Sequence, residues 1–208
     1  MSVLTAATPH AHNPVTPPPA GAPGPRPIRW SVEQYYKLGE LGFFQGKRVE
    51  LVRGEIIEMS PMGWQHSLAC TLVLQKLFPL FSGGFFLSDQ KPFSLADSEP
   101  EPDFAIIPGS PRDYSYHPPV ASLVVEVSDT TLFYDTTTKA ELYATAGVPE
   151  YWVLDLDGKR LLVFRDPEAL PTGLGATAYR THLVLSPTET ISPLASPNST
   201  ITVSELLP

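Results

Sequence analysis

Three charged residues stand where the surrounding pattern is apolar. Glu126 falls inside the run Leu123-Val124-Val125-Glu126-Val127, and Asp103 opens a second run, Asp103-Phe104-Ala105-Ile106-Ile107, directly behind Glu101-Pro102. Lys139 follows Glu126 by thirteen residues. On a helix it shares one stripe with Leu142, Tyr143 and Ala146, which are otherwise apolar. A fourth charge, Glu50, lies between Val49 and Leu51. Each of these groups is expensive to bury alone. Gathered around a divalent cation, two or three carboxylates and one ammonium become compatible with a dry interior. Such a set suits hydrolysis of a phosphate ester: the ion neutralises the phosphate and acidifies a water, and the ammonium meets developing charge.

The pattern leaves a blander reading open at every position. Glu126 can end its strand in solvent, and Asp103 can be a loop acid after proline. Lys139 can snorkel to the surface along its stem. Glu50 can occupy the exposed face of a half-buried strand, and His66 can be a helix-start or surface histidine rather than a cleft residue.

The elements that must position these groups follow from periodicity and turn signals. Ser31-Val32-Glu33-Gln34 has capping-box form and predicts a short helix from about residue 31. Residues 48–52 and 55–60 read as strands joined by Arg53-Gly54, a hairpin. Leu68, Leu72, Leu74 and Leu77 predict a helix over 63–77, stopped by Pro79 and Gly83-Gly84. Strands are expected at 85–87, 91–95, 103–107 and 121–127. In the last of these, Leu123, Val125 and Val127 share one face while Val124 and Glu126 share the other. A helix over 135–146 ends at Gly147. Strands at 150–154 and 160–164, an edge strand at 177–185 and a closing segment at 201–207 complete the chain. This order predicts an α/β (α+β) fold: a mixed β-sheet flanked by helices, with an additional β-rich C-terminal part.

Composition narrows the class. Residues 1–27 are rich in Pro, Ala, Thr and Gly and poor in bulky apolar side chains. That stretch reads as a disordered tail, and 28–208 as one domain. No apolar run approaches the roughly 18 residues of a membrane span, and no secretory signal is evident, so a cytoplasmic protein with no membrane role is expected. The single cysteine, Cys70, sits in an apolar helical pattern and reads as a buried, inert thiol. Net charge is −8, which argues against tight, sequence-blind binding of nucleic acid. Bound divalent ions soften that objection locally.

A longer pattern carries a resemblance. Val49-Glu50-Leu51-Val52-Arg53-Gly54-Glu55, Met59-Ser60-Pro61, His66, Pro102-Asp103, Leu123 to Ser128 and Lys139-Ala140-Glu141-Leu142-Tyr143 occur in this order. They are followed by the run Ala146-Gly147-Val148-Pro149-Glu150-Tyr151-Trp152-Val153-Leu154-Asp155. The series resembles the Uma-type putative restriction endonuclease family, within the PD-(D/E)xK nuclease superfamily, over residues 30–208. No single motif is specific, but the ordered set is. The resemblance implies a restriction-endonuclease-like fold and a magnesium-dependent endonuclease, with manganese as substitute, acting on nucleic acid and most naturally on DNA. It implies that Asp103 and Glu126 bind metal, that Glu50 is an auxiliary acid and metal ligand, and that Lys139 is the catalytic lysine. One departure stands out: two positions after Glu126 the superfamily has lysine and this chain has Ser128.

Cutting both strands of a two-fold symmetric site suits a homodimer, although the sequence names no interface. Two other functions fit the same residues. One is a nuclease-fold binding or scaffold protein that has lost cleavage, and the other is a metal-dependent hydrolase of a non-polymeric phosphate ester.

Overall fold

Ser31 opens the first helix with the reciprocal cap read in the sequence. Its hydroxyl accepts the Gln34 amide at 3.2 Å, and the Gln34 carboxamide oxygen accepts the Ser31 N–H at 3.0 Å. The helix α1 (Val32–Glu40) buries Tyr35, whose hydroxyl donates to the Val49 carbonyl at 2.9 Å. Strand β1 (Val49–Val52) returns as β2 (Glu55–Glu58) through Arg53 and Gly54, both with positive φ (50° and 75°). Two successive positive φ values give a turn that matches the twist of the strands. The computed structural model describes residues 26–81, 83–170 and 177–208. Most of the Pro-rich stretch, through residue 25, therefore lies outside the described residues.

This hairpin matters because β1 carries Glu50. On its open edge, Leu51 exchanges backbone hydrogen bonds with Glu99 (3.4 and 2.7 Å), which fixes β1 against the approach to Asp103. Gly54 has no room for a side chain: a Cβ there would meet Arg29 Cβ at 2.9 Å and the Trp30 carbonyl at 3.1 Å. Gly54→Ala should therefore cost at least about 1–2 kcal/mol, the usual penalty for a left-handed L-residue, with the clash in addition. Urea denaturation checks this, and an unchanged midpoint would mean the turn relaxes freely.

Helix α2 (Trp64–Leu77) buries Ala69, Val73 and Leu77 and tightens into a 3₁₀ turn at Phe78–Phe81, where Pro79 blocks continuation. The main sheet follows. Strands β3 (Phe85–Asp89), β4 (Phe104–Pro108), β5 (Leu123–Ser128), β6 (Glu150–Asp155), β7 (Arg160–Ala169) and β8 (Thr177–Leu185) lie side by side in that order. All neighbours are antiparallel except β5 and β6, which are parallel. A parallel pair needs a crossover connection. Here it is helical: α3 (Leu132–Tyr134), a π-helical turn at Asp135–Lys139, and α4 (Ala140–Thr145), with Gly147 (φ 74°) just beyond its end. A two-stranded pairing of β9 (Thr190–Ile191) with β10 (Ile201–Thr202) and a final 3₁₀ turn form the C-terminal part.

The alternation read in β5 sorts the core. Leu123, Val125 and Val127 pack with α2, Trp152 and the C-terminal Ile201, Val203 and Leu206. On the other face, Val124 packs with Tyr143, Ala144 and Tyr151. Glu126 shares that second face.

The strand expected at 91–95 is absent. Gln90 takes a positive φ of 47°, and Pro92 lacks an N–H for a ladder. Instead, Phe93 N–H donates to the Pro100 carbonyl (2.9 Å) and Ser94 N–H to that of Pro118 (3.0 Å). Phe93 is buried all the same, from a loop. β7 runs five residues past the expected Phe164, to Ala169, because β8 offers it a partner along that length.

Candidate active site

Glu126 is held in the sheet interior by β5 and is only 4 % exposed, so it does not end its strand in solvent. Its Oε1 accepts from Lys139 Nζ at 2.9 Å and from the Tyr143 hydroxyl at 2.8 Å, and its Oε2 accepts from the Asp103 N–H at 3.3 Å. Lys139 is 1 % exposed and does not snorkel; its ammonium also lies 3.3 Å from Glu50 Oε2. Asp103 Oδ2 accepts the Val127 N–H at 2.8 Å, and its Oδ1 meets His66 Nε2 at 3.1 Å. Glu50 Oε2 accepts the Glu101 N–H at 3.2 Å. The fold thus gathers Glu50, Asp103, Glu126 and Lys139 in one network. Glu50 and Glu126 sit on either side of the ammonium rather than in a bare three-acid cluster.

Local chemistry explains how the helix delivers its lysine. Thr136 and Thr137 turn their hydroxyls back onto the carbonyls of Leu132 and Phe133, one turn earlier. Such back-bonding competes with the helix ladder and bends it. The π turn falls on these threonines, and it directs both Asp135 and Lys139 inward. Ser128 places its hydroxyl 3.5 Å from Thr131 Oγ1, beside the Asp135 carboxylate. The lysine beside Glu126 comes from the crossover helix, thirteen residues on.

The cleft that Asp103, Glu126 and Lys139 face is lined also by Arg48, His66, Glu101 and Asp135. Three residues here were not legible as site residues. Asp135 reads in sequence as a helix-start acid, yet it lies four residues before Lys139, a spacing that puts both on one face. Tyr143 reads as core packing, and its hydroxyl bonds Glu126. His66 reads first as a helix-start or surface histidine, with the cleft as its other place, and its ring reaches Asp103.

The electrostatics are crowded: Glu50, Asp103, Glu126 and Asp135 are all buried around one buried ammonium. Burial, reinforced by Asp103, Asp135 and Glu50, pushes the Glu126 carboxyl up to about 8 despite Lys139. Burial also raises Asp135. Asp103 behaves otherwise, since His66, the Val127 N–H and Lys139 together outweigh its burial and hold it low. Burial works against the Lys139 charge, but Glu126, Glu50 and Asp135 more than restore it, so the lysine stays an ammonium.

The sign of the pH dependence follows. A carboxyl raised by folding favours the folded state while it is protonated, so its contribution declines as pH rises from about 4.5 to about 8. Asp103 and Lys139 titrate outside that window. In EDTA, the melting temperature should therefore fall from pH 5 to pH 8, and Glu126→Gln should flatten the fall. A rising profile would contradict the burial of this acid.

Buried acids are not by themselves a site. Glu150 is equally buried, but Trp152, Arg165 and the Leu194 N–H satisfy both its oxygens. The acids near Lys139 differ. Among the described residues, the buried side-chain atoms without a partner are Glu50 Oε1 and the Tyr134 hydroxyl. The first of these belongs to this cluster, its other oxygen lying 3.3 Å from the Lys139 ammonium. Excess acid and an orphaned carboxylate oxygen fit a hard divalent cation with oxygen ligands.

Fold and site together have the form of a nuclease-like α/β domain, with acids at one end of a mixed sheet and a lysine brought in from the crossover helix. The family model Uma2, described as a putative restriction endonuclease, matches residues 32–204, and the chain belongs to that family. A similar solved structure is that of a putative nuclease belonging to DUF820 from Anabaena variabilis ATCC 29413. It aligns with a TM-score of 0.66 over 86 % of this chain and 97 % of that chain, at 16 % identity, a likeness of fold. No curated protein matches the chain.

Proposed function

We propose that the protein is a divalent-metal-dependent endonuclease that hydrolyses nucleic-acid phosphodiester bonds, with DNA as substrate and magnesium, or manganese in its place, as cofactor. The observation that carries this is the buried contact of Lys139 with Glu126 at the cleft, beside Asp103. Asp103 and Glu126 would hold the ion, and Glu50 offers its unpartnered Oε1 as a further ligand while anchoring Lys139. Bound there, the ion would neutralise the scissile phosphate and acidify a water. Lys139 supplies a fixed positive charge for the phosphoryl oxygens where charge builds, already oriented before substrate arrives. Glu126 and Glu50 keep the ammonium in place, and the Tyr143 hydroxyl steadies Glu126. Arg48, half-exposed at the cleft, meets substrate phosphate. The working state we envisage is a cytoplasmic homodimer; no helix among the described residues is long and apolar enough to cross a membrane.

Net acidity favours one other reading, a nuclease-fold binding protein without cleavage, because the cleft offers phosphate few cations. Plasmid and single-stranded DNA incubated with magnesium, manganese or EDTA separate the two. Nicking that EDTA stops supports the nuclease. A folded protein that neither cuts nor binds magnesium at millimolar concentration supports the binding protein.

A further inference from the structure

We infer that His66, Cys70 and Asp103 form a second metal site, selective for zinc, which closes the proposed nuclease site by taking Asp103 away from it. His66 and Cys70 stand four residues apart on α2, so they share one helix face. One imidazole nitrogen, the thiol sulfur and one Asp103 oxygen all lie within 4.8 Å of one another. Zinc bonds of roughly 2.0–2.3 Å put neighbouring tetrahedral ligands roughly 3.3–3.8 Å apart. Small side-chain rotations therefore suffice to close the trio on an ion.

The donor set decides which ion. The acids around Lys139 offer oxygen alone, which suits magnesium. Sulfur and imidazole suit zinc and repel that harder ion. An approach exists: Cys70 and Asp103 both line an open depression of about 220 Å³ beside Gln90. Without metal the thiol stays protonated, because burial and the charges of Asp103 and Glu126 raise it. Zinc binding forms the metal–sulfur bond and releases the thiol proton to solvent. The ion also replaces the His66–Asp103 hydrogen bond, so Asp103 Oδ1 is committed to it.

Binding at this site does not depend on the nuclease reading; only the inhibition rests on it. Cobalt(II) is the probe. With the full chain, near-stoichiometric cobalt should give the near-ultraviolet band of a thiolate–cobalt bond, and added zinc should abolish it. Cys70→Ser, nearly isosteric, should lose the band, and both it and His66→Gln should weaken zinc binding by at least about tenfold. Glu126→Gln should keep the band. Zinc should arrest magnesium-dependent cleavage by the wild type, while Cys70→Ser keeps cutting at the same zinc concentration. A folded wild type without the band, or Cys70→Ser binding zinc as tightly as wild type, overturns the site. A band in a protein that never cuts DNA upholds the metal site and overturns its inhibitory role.

Discussion

Lys139→Met should lose about 3–5 kcal/mol of folding stability in metal-free buffer near pH 8, together with cleavage. Methionine occupies similar space but leaves Glu126 Oε1 and Glu50 Oε2 without the ammonium that now lies 2.9 and 3.3 Å away. Removing one partner of a buried ion pair strands the other charge in low dielectric, which costs about this much. The acids can escape by taking up protons, so the cost should shrink toward pH 5. Adding Glu50→Gln to Lys139→Met removes one stranded charge and should recover part of the loss, a coupling that a double-mutant cycle reads directly. Urea denaturation in EDTA checks all three. A single-variant loss below about 1 kcal/mol would mean that water, rather than the lysine, compensates these acids. Cleavage should drop by about 10²–10³-fold, the usual loss when a preorganised donor is deleted.

The second large effect separates function from folding. Glu126→Gln should reduce metal-dependent cleavage by at least about 10²–10³-fold while the protein stays folded, with a metal-free melting temperature at pH 8 equal to or above that of wild type. The amide oxygen still accepts from Lys139 and Tyr143, and Lys139 keeps Glu50 at 3.3 Å. The bond given up, from the Asp103 N–H, is long at 3.3 Å. Against these small losses, one of four crowded acids is gone, which relieves like-charge repulsion. Opposite signs for Lys139→Met and Glu126→Gln are what an acid-rich, cation-poor cluster requires. Full activity in Glu126→Gln would remove this residue from the chemistry.

Family membership and fold do not depend on these outcomes, because they rest on residues 32–204 as a whole. The site assignments do. In the sequence Asp103, Glu126, Lys139 and Glu50 are charges set within or beside apolar patterns, and the structure brings all four into one network.

Much of the architecture is local and could be read without coordinates. The Ser31 capping box, the Arg53-Gly54 hairpin, the two faces of β5 and the glycine stop at Gly147 each depend on a few neighbouring residues. Sequence and structure diverge where distant partners decide. Residues 91–95 alternate like a strand, but Pro92 and the turn at Gln90 send their backbone bonds to Pro100 and Pro118 instead. The π turn at Asp135–Lys139 depends on threonine hydroxyls competing for carbonyls, which helical periodicity does not register.

The sequence by itself determined the faces on which Glu126 and Lys139 stand among apolar neighbours, since a side chain's face follows from the 2.0 and 3.6 periods of strand and helix, and it left both solvent and interior open for them. It could not determine what would meet them there. Tertiary structure decided that Lys139 lies between Glu126 and Glu50, that the Tyr143 hydroxyl reaches Glu126, and that His66 crosses from α2 to Asp103. Those partners are set by strand order, by the parallel β5–β6 crossover and by how helices seat at the end of the sheet. Periodicity gives a side chain its direction, whereas compensation of a buried charge requires a position within about 3 Å, and only the packed chain supplies that.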